Sequence, residues 1–157
     1  MMHSNTFRAC YKRYTMQFSL SGIPESILDY LNAWAGRPAP FFMAEFGAEL
    51  PALRMLPLPG AQIMRSYYDG GAVIGFPFSI TLRCRPGGGE FAARTLASLN
   101  ALADYMRSAD LPDLDLSREA LALELSSAPQ RTSSTASGYV EFSAEFRLMF
   151  ISEPVDN

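Results

Sequence analysis

The side chains that most often carry catalysis or bind metal ions are scarce in this chain of 157 residues. It has one histidine, His3, and two cysteines, Cys10 and Cys84. A Ser-His-Asp or Cys-His nucleophile system needs a histidine beside the nucleophile, and a His-containing zinc site needs one as a ligand. Because His3 lies outside every predicted helix and strand, we predict no catalytic residue, no metal site, no cofactor and no enzymatic activity.

A glycine-rich segment from Pro86 to Gly89 joins a predicted strand to a predicted helix, in outline like a phosphate-binding loop. The segment lacks the Lys-Ser/Thr ending of a P-loop and the G-x-G-x-x-G spacing of a dinucleotide site. Glu90, at the start of the helix, would also repel a phosphate. We therefore interpret the segment as a flexible connector, with nucleotide binding as the weaker alternative.

The acidic segment that starts at Asp113 partly fits a calcium loop. Asp113 and Asp115 are separated by one residue, and Glu124 is twelfth in the loop. The sixth position requires glycine in such a loop and is Arg118 here, so we do not predict a calcium site. Two leucines of the same segment are predicted to be packing residues: Leu114 and Leu116.

Composition and charge limit the classes of partner. At 48% hydrophobic residues the chain is long enough for one compact domain with a core. A net charge of -3 provides no basic surface for nucleic acid or an anionic membrane, and no stretch has the length and apolarity of a transmembrane helix. Nearly all basic residues are arginines, which favours protein interfaces. We expect a soluble protein without nucleic-acid specificity or membrane attachment.

The first fifteen residues differ from the rest. They mix basic and aromatic side chains and show neither helical nor strand periodicity. We predict that residues 1–15 form a disordered N-terminal extension, or precede a natural start at Met16, and that residues 16–157 form a single domain. A basic arm that binds a partner is the alternative.

Hydrophobic periodicity and turn signals predict the elements of this domain. A first helix begins near Pro24 and ends at Gly36, and a second extends from Glu90 to about Ser108. The predicted strands are Pro40 to Phe46, Ala52 to Leu58, Ala61 to Tyr68, Val73 to Arg85, Leu121 to Leu125 and Tyr139 to Ile151. This order predicts an α+β fold in which two main helices pack on an antiparallel or mixed β-sheet.

Individual residues of the two long predicted strands allow further predictions. Cys84 shares a face with Phe78, which indicates a reduced core thiol. Pro77 lacks an N–H, which predicts an edge position or a bulge. Alternation along the last strand places one set of side chains in the core: Val140, Phe142, Ala144, Phe146, Leu148 and Phe150.

The order of the motifs is more informative than any single one. After the first helix come Tyr68-Asp69-Gly70, Phe76-Pro77-Phe78, the long helix, Leu111-Pro112-Asp113-Leu114, residues 123–129 and residues 138–150. Over roughly residues 23–152 this order resembles that of the small minor capsid and tail terminator proteins of long-tailed bacteriophages and prophages.

The resemblance implies a tail-terminator-like fold and a structural role in the virion tail or neck, with assembly in the host cytoplasm. Tail terminators form a ring, in most cases a hexamer, on the head-proximal end of the tail tube and contribute to head-tail joining. The implied partners are other copies of the chain, the tail tube protein and the head completion protein. Another neck or minor capsid (head completion) protein and a small-molecule-binding α+β domain are the alternatives.

A ring with heterologous contacts needs two different, complementary patches on each subunit. We predict these patches in the polar connections beside the main elements. One group follows the long strand: Arg83, Arg85, Gly87, Gly88 and Gly89. The other lies in a polar loop, residues 130–137, which we expect to be mobile in the free subunit: Arg131, Thr132, Ser133, Ser134 and Thr135.

Overall fold

The computed structural model describes residues 6–11, 14–87, 89–108, 110–134 and 138–155. Two helices and eight strands make up this part of the chain. In chain order they are β1 (Thr6–Tyr11), β2 (Tyr14–Ser19), α1 (Ile23–Asn32), β3 (Phe41–Met43), β4 (Ala52–Pro57), β5 (Gln62–Ser66), β6 (Ala72–Cys84), α2 (Gly89–Ser108), β7 (Arg118–Ser134) and β8 (Val140–Ser152).

The main sheet has six strands in the order β3-β4-β6-β8-β7, and β5 pairs with β6 as well. Strand β3 is parallel to β4, and all other pairs are antiparallel, so the sheet is mixed. Strands β6 and β8 pair without interruption from Ala72 opposite Ser152 to Cys84 opposite Val140. The structure therefore confirms the predicted α+β class and gives the sheet two well-defined ends.

Both helices pack on one face of this sheet, which we call the covered face. Helix α1 contributes Ile27 and Leu31 to the core, and α2 contributes Leu99 and Met106. The predicted face of β8 is confirmed, because its six alternate apolar residues are all buried in the same core. Cys84 is likewise a buried free thiol in that core.

Pro77 corrects the prediction of an edge or a bulge, because β6 lies in the middle of the sheet and pairs in register through Pro77 opposite Arg147. The carbonyl of Pro77 accepts a hydrogen bond from the Leu58 N–H at 3.0 Å, so Pro77 faces the side of β4 and β5. On that side β6 pairs with β5 up to Gly75 and with β4 from Phe78 onwards. The missing N–H thus falls at the junction of two partner strands, where it interrupts no bond to β8.

Strand β7 corrects the predicted polar loop. The sequence indicated a strand only over Leu121 to Leu125, but β7 continues to Ser134, and Gln130 and Arg131 pair with β8. Its register shifts at four places, and each extra residue moves the following side chains to the opposite face. Alternation is therefore lost from the sequence although the backbone pairing continues. Thr135 and the rest of the predicted loop up to residue 137 lie outside the described residues.

Strands β1 and β2 fall largely within the segment predicted as an N-terminal extension. They pair with each other from Thr6 opposite Ser19 to Tyr11 opposite Tyr14 and form a separate two-stranded sheet. The chain joins the core at Phe18, which is fully buried. Residues 1–5 lie outside the described residues.

Candidate functional site

The end of the sheet formed by Cys84 and Val140 carries both groups of predicted assembly residues, and we call it the arginine end. Arg83 and Arg85 lie at and just beyond the end of β6. On β7, Ser134 pairs with Val140, which itself pairs with Cys84. The two groups were expected on different patches, but the structure brings them to one end of the sheet, two strands apart.

The other predicted residues are placed less completely. Gly87 is exposed in the connection after β6, and Gly89 is the first residue of α2. On β7, Arg131 and Thr132 are exposed, and Thr132 Oγ1 donates to the Glu141 carbonyl at 3.3 Å. Ser133 pairs with Glu141. Two predicted residues lie outside the described residues: Gly88 and Thr135.

Arg83 is fixed within the fold. Its Nη2 and Nε atoms both donate to Oε1 of Glu141, at 2.7 and 3.0 Å, and the two residues are direct cross-strand neighbours. The guanidinium stacks 3.9 Å above the Phe46 ring, and Tyr139 lies 5.4 Å away. Arg54 contacts the same Phe46 ring at 4.6 Å. Opposite charge and aromatic stacking thus hold the Arg83 side chain flat against the sheet, whereas Arg85 points into solvent as an exposed residue.

A small apolar cavity of about 250 Å³ opens at the arginine end, and we call it the Leu82 cavity. Its apolar walls are formed by Pro38, Leu50, Pro51, Leu82 and Cys84. Arg85, Arg94, Thr95 and Ser98 complete the lining. Burial raises the pKa of the Cys84 thiol, so this thiol is uncharged at neutral pH.

The opposite end of the sheet carries an open groove of about 1250 Å³, which we call the acidic groove. Its lining includes five carboxylates: Asp69, Asp113, Asp115, Glu119 and Glu153. Arg118 is the one basic residue of this lining. Sequence reasoning did not single out this groove, because the segments that form it are far apart in the chain and meet only where Ala72 pairs with Ser152.

A tight turn at the rim of the acidic groove is held by charge-assisted hydrogen bonds. Oδ2 of Asp115 accepts from Nη2 and Nε of Arg118 at 2.6 and 3.1 Å. Oδ1 of Asp115 accepts from the backbone N–H and the hydroxyl of Ser117. The hydrogen bonds from Arg118 lower the pKa of the Asp115 carboxyl. Arg118 also donates to the Ser19 carbonyl at 3.2 Å and so connects the turn to β2.

This turn presents an apolar side chain to solvent. Leu116 is fully exposed, with a relative accessibility of 109%, and Tyr68 across the groove is equally exposed. The prediction that Leu116 packs in the core is therefore wrong, while Leu114 does pack against the core. Residue type and spacing do not distinguish the two leucines. The hydrogen bonds of Asp115 explain why Leu116 is exposed, because they fix a tight turn that directs this side chain into solvent.

Among the described residues, no group of three or more His, Cys, Asp or Glu side chains is placed to hold a metal ion. Neither helix in the described part of the chain has the length and apolar character required to cross a membrane. Compared with known proteins, the sequence matches no family model, and it has no significant match among functionally characterised proteins.

Proposed function

We propose that this protein is a non-enzymatic structural protein of a long-tailed phage or prophage. Its role is that of a tail terminator, which forms a ring on the head-proximal end of the tail tube and contributes to head-tail joining. Its partners are then other copies of itself, the tail tube protein and the head completion protein. The proposal takes its family from the motif order and its physical support from the fold.

One observation carries the physical argument: the two ends of the sheet have opposite chemistry. The arginine end bears the exposed Arg85 and Arg131 beside the Arg83–Glu141 ion pair, and the acidic groove at the other end has five carboxylates against one arginine in its lining. The twelve residue steps from Ala72 to Cys84 separate these ends by roughly 40 Å at 3.3 Å per residue. A subunit with two unlike, complementary ends can make the heterologous contacts from which a ring closes.

The strand β6 makes these ends rigid relative to each other. It pairs along its whole length with β8 and is buried at most of its positions. Relative movement of the ends would break that ladder and expose the core residues beneath it. A fixed angle between successive contacts is what a closed ring requires, as opposed to an open chain of subunits.

The proposal is tested by mixing the purified protein with tubes assembled from the tail tube protein of the same genome, followed by negative-stain microscopy. We expect rings of about six subunits and density at one end of each tube, because a terminator recognises one tube end only. Binding along the tube wall, or no binding to tubes, would contradict the proposal. Preferential binding to capsid portals would favour the head completion role.

A further inference from the structure

We propose that the Leu116 turn of one copy inserts into the Leu82 cavity of a second copy, in a head-to-tail contact. The Leu116 turn comprises Asp115, Leu116 and Ser117 at the rim of the acidic groove. This inference names the surfaces of the self-contact that the proposed ring requires, and so it rests on the proposed function.

The Leu116 turn and the Leu82 cavity are complementary in shape and polarity. Leu116 is a single, fully exposed aliphatic side chain at the tip of a turn. The cavity has apolar walls and a volume of about 250 Å³, which accepts one aliphatic side chain but is small for most ligand sites. Inserting Leu116 removes apolar surface from water on both partners at once.

The charges near the Leu116 turn and the Leu82 cavity are also complementary. Exposed acidic side chains flank Leu116 in the sequence, at Asp113 and Glu119. Arg85 and Arg94 belong to the lining of the Leu82 cavity and are both exposed. Glu49 lies next to the wall residue Leu50 but lines the neighbouring cavities. An apolar side chain in an acidic segment therefore meets an apolar cavity whose lining contains two arginines and no carboxylate, which orients the encounter.

The occupant must come from another molecule. Leu116 lies at the Ser152 end of the sheet, where the Ser117 carbonyl accepts from the Glu153 N–H at 3.2 Å, and Leu82 lies near the opposite end of β6. The roughly 40 Å length of β6 between these ends prevents a turn from reaching its own cavity. The turn is also held in place by Arg118, so little conformational freedom is lost when it docks.

The test uses two complementary variants of the full chain, whose folding is checked by circular dichroism and thermal melting. Leu116→Asp removes the inserted side chain but leaves the cavity intact. Ser98→Trp fills the cavity from the side of α2 but leaves the turn intact, and Arg85→Glu replaces it if the Trp variant does not fold. Leu121→Asp is the matched control, since Leu121 is an exposed leucine outside both surfaces.

Sedimentation velocity over a concentration series measures the association. We expect the wild type and Leu121→Asp to self-associate, and each of the two variants to be monomeric alone. The truncation Leu116→Ala should weaken association by about 10- to 100-fold, the effect of losing one buried leucine side chain. An equimolar mixture of Leu116→Asp and Ser98→Trp should form a one-to-one complex and nothing larger, because only one intact pair of surfaces remains.

A wild type that stays monomeric at all concentrations, a Leu116→Asp variant that associates like the wild type, or a mixture that does not recover the one-to-one complex would each overturn the inference. Tube binding is measured in parallel. If Leu116→Asp still assembles and binds one tube end, the surfaces are wrong and the proposed function stands. If assembly depends on Leu116 but no assembly binds tubes, the surfaces are right and the proposed function fails.

Discussion

The two faces of the main sheet are built from alternate residues of the same strands, yet their contacts differ in kind. On the covered face, Phe78 and Phe146 are direct cross-strand neighbours whose rings stack with centroids 5.7 Å apart beneath the helices. On the open face, the same two strands pair Thr81 with Ser143 by a 2.7 Å hydrogen bond. Apolar burial is strong and insensitive to pH, whereas a polar pair only exchanges hydrogen bonds to water for a hydrogen bond within the protein and so contributes less. The covered face should therefore contribute most of the free energy of unfolding, and the open face should contribute a smaller part.

The largest effect is expected on the covered face. Phe146→Ala removes a buried aromatic ring and leaves a cavity against Phe78, which should lower the free energy of unfolding by about 3–5 kcal/mol. Urea denaturation measures the change. Glu145→Ala, one residue away on the open face, is the control and should shift the free energy by less than about 0.5 kcal/mol. Equal losses for the two variants would show that the faces do not differ as described.

A smaller effect is expected for the partly buried ion pair on the open face. The Arg83 and Glu141 side chains are 28% and 14% exposed, so Arg83→Met should destabilise the fold by about 1–3 kcal/mol. Glu124→Gln breaks the more exposed pair with Arg147 and should cost less than about 1 kcal/mol. The losses of stability of the two variants are compared by thermal unfolding in low and in high salt. A larger loss for Glu124→Gln would contradict the assigned order.

The next prediction concerns the hydroxyl group of Tyr30, on the covered side of the sheet. The Tyr30 hydroxyl is buried without a hydrogen-bond partner among the described residues, and burial raises its pKa to about 12. Tyr30→Phe should therefore stabilise the protein by up to about 1 kcal/mol at neutral pH. Because the folded-state pKa lies above the ordinary value of 10.0, the wild type should lose stability as the pH rises from 10 towards 12.

The comparison for Tyr30 is made by thermal melts of the two proteins across this pH range. The loss attributable to Tyr30 should be absent from Tyr30→Phe. Tyr67→Phe, at an exposed tyrosine, is the control and should behave like the wild type at every pH. Identical pH profiles for Tyr30→Phe and the wild type would contradict the burial of this hydroxyl.

The smallest effect is expected at the rim of the sheet, in the Leu116 turn. Arg118 lowers the pKa of Asp115, so the interaction contributes stability above the ordinary carboxyl pKa of 3.8, and this contribution is lost as the pH falls through the lower folded-state value. Asp115→Asn should lower stability slightly at neutral pH, by about 0.5 kcal/mol, since the pair is partly solvated. The difference from the wild type should vanish in acid. A difference that grows below pH 3.8 would contradict this.

Sequence reasoning located the candidate site only in part. Arginines and glycines after a strand indicated the arginine end, but Arg83 proved to be bound to Glu141, which is 58 positions away in the chain. The acidic groove and the outward position of Leu116 were missed altogether. Both depend on which segments meet at the end of a sheet, and hydrophobic periodicity contains no information about strand order.

The sequence by itself determined the periodic elements: helices α1 and α2 and the core faces of β6 and β8 follow from apolar spacing, because burial of one face imposes that spacing on the chain. Only the tertiary structure decided where local rules give way. Pro77 occupies a central strand because two partner strands meet opposite it, and β7 extends to Ser134 because β8 supplies its hydrogen bonds. Long-range pairing decides these features, since a partner strand can satisfy a backbone that its own residues leave unspecified.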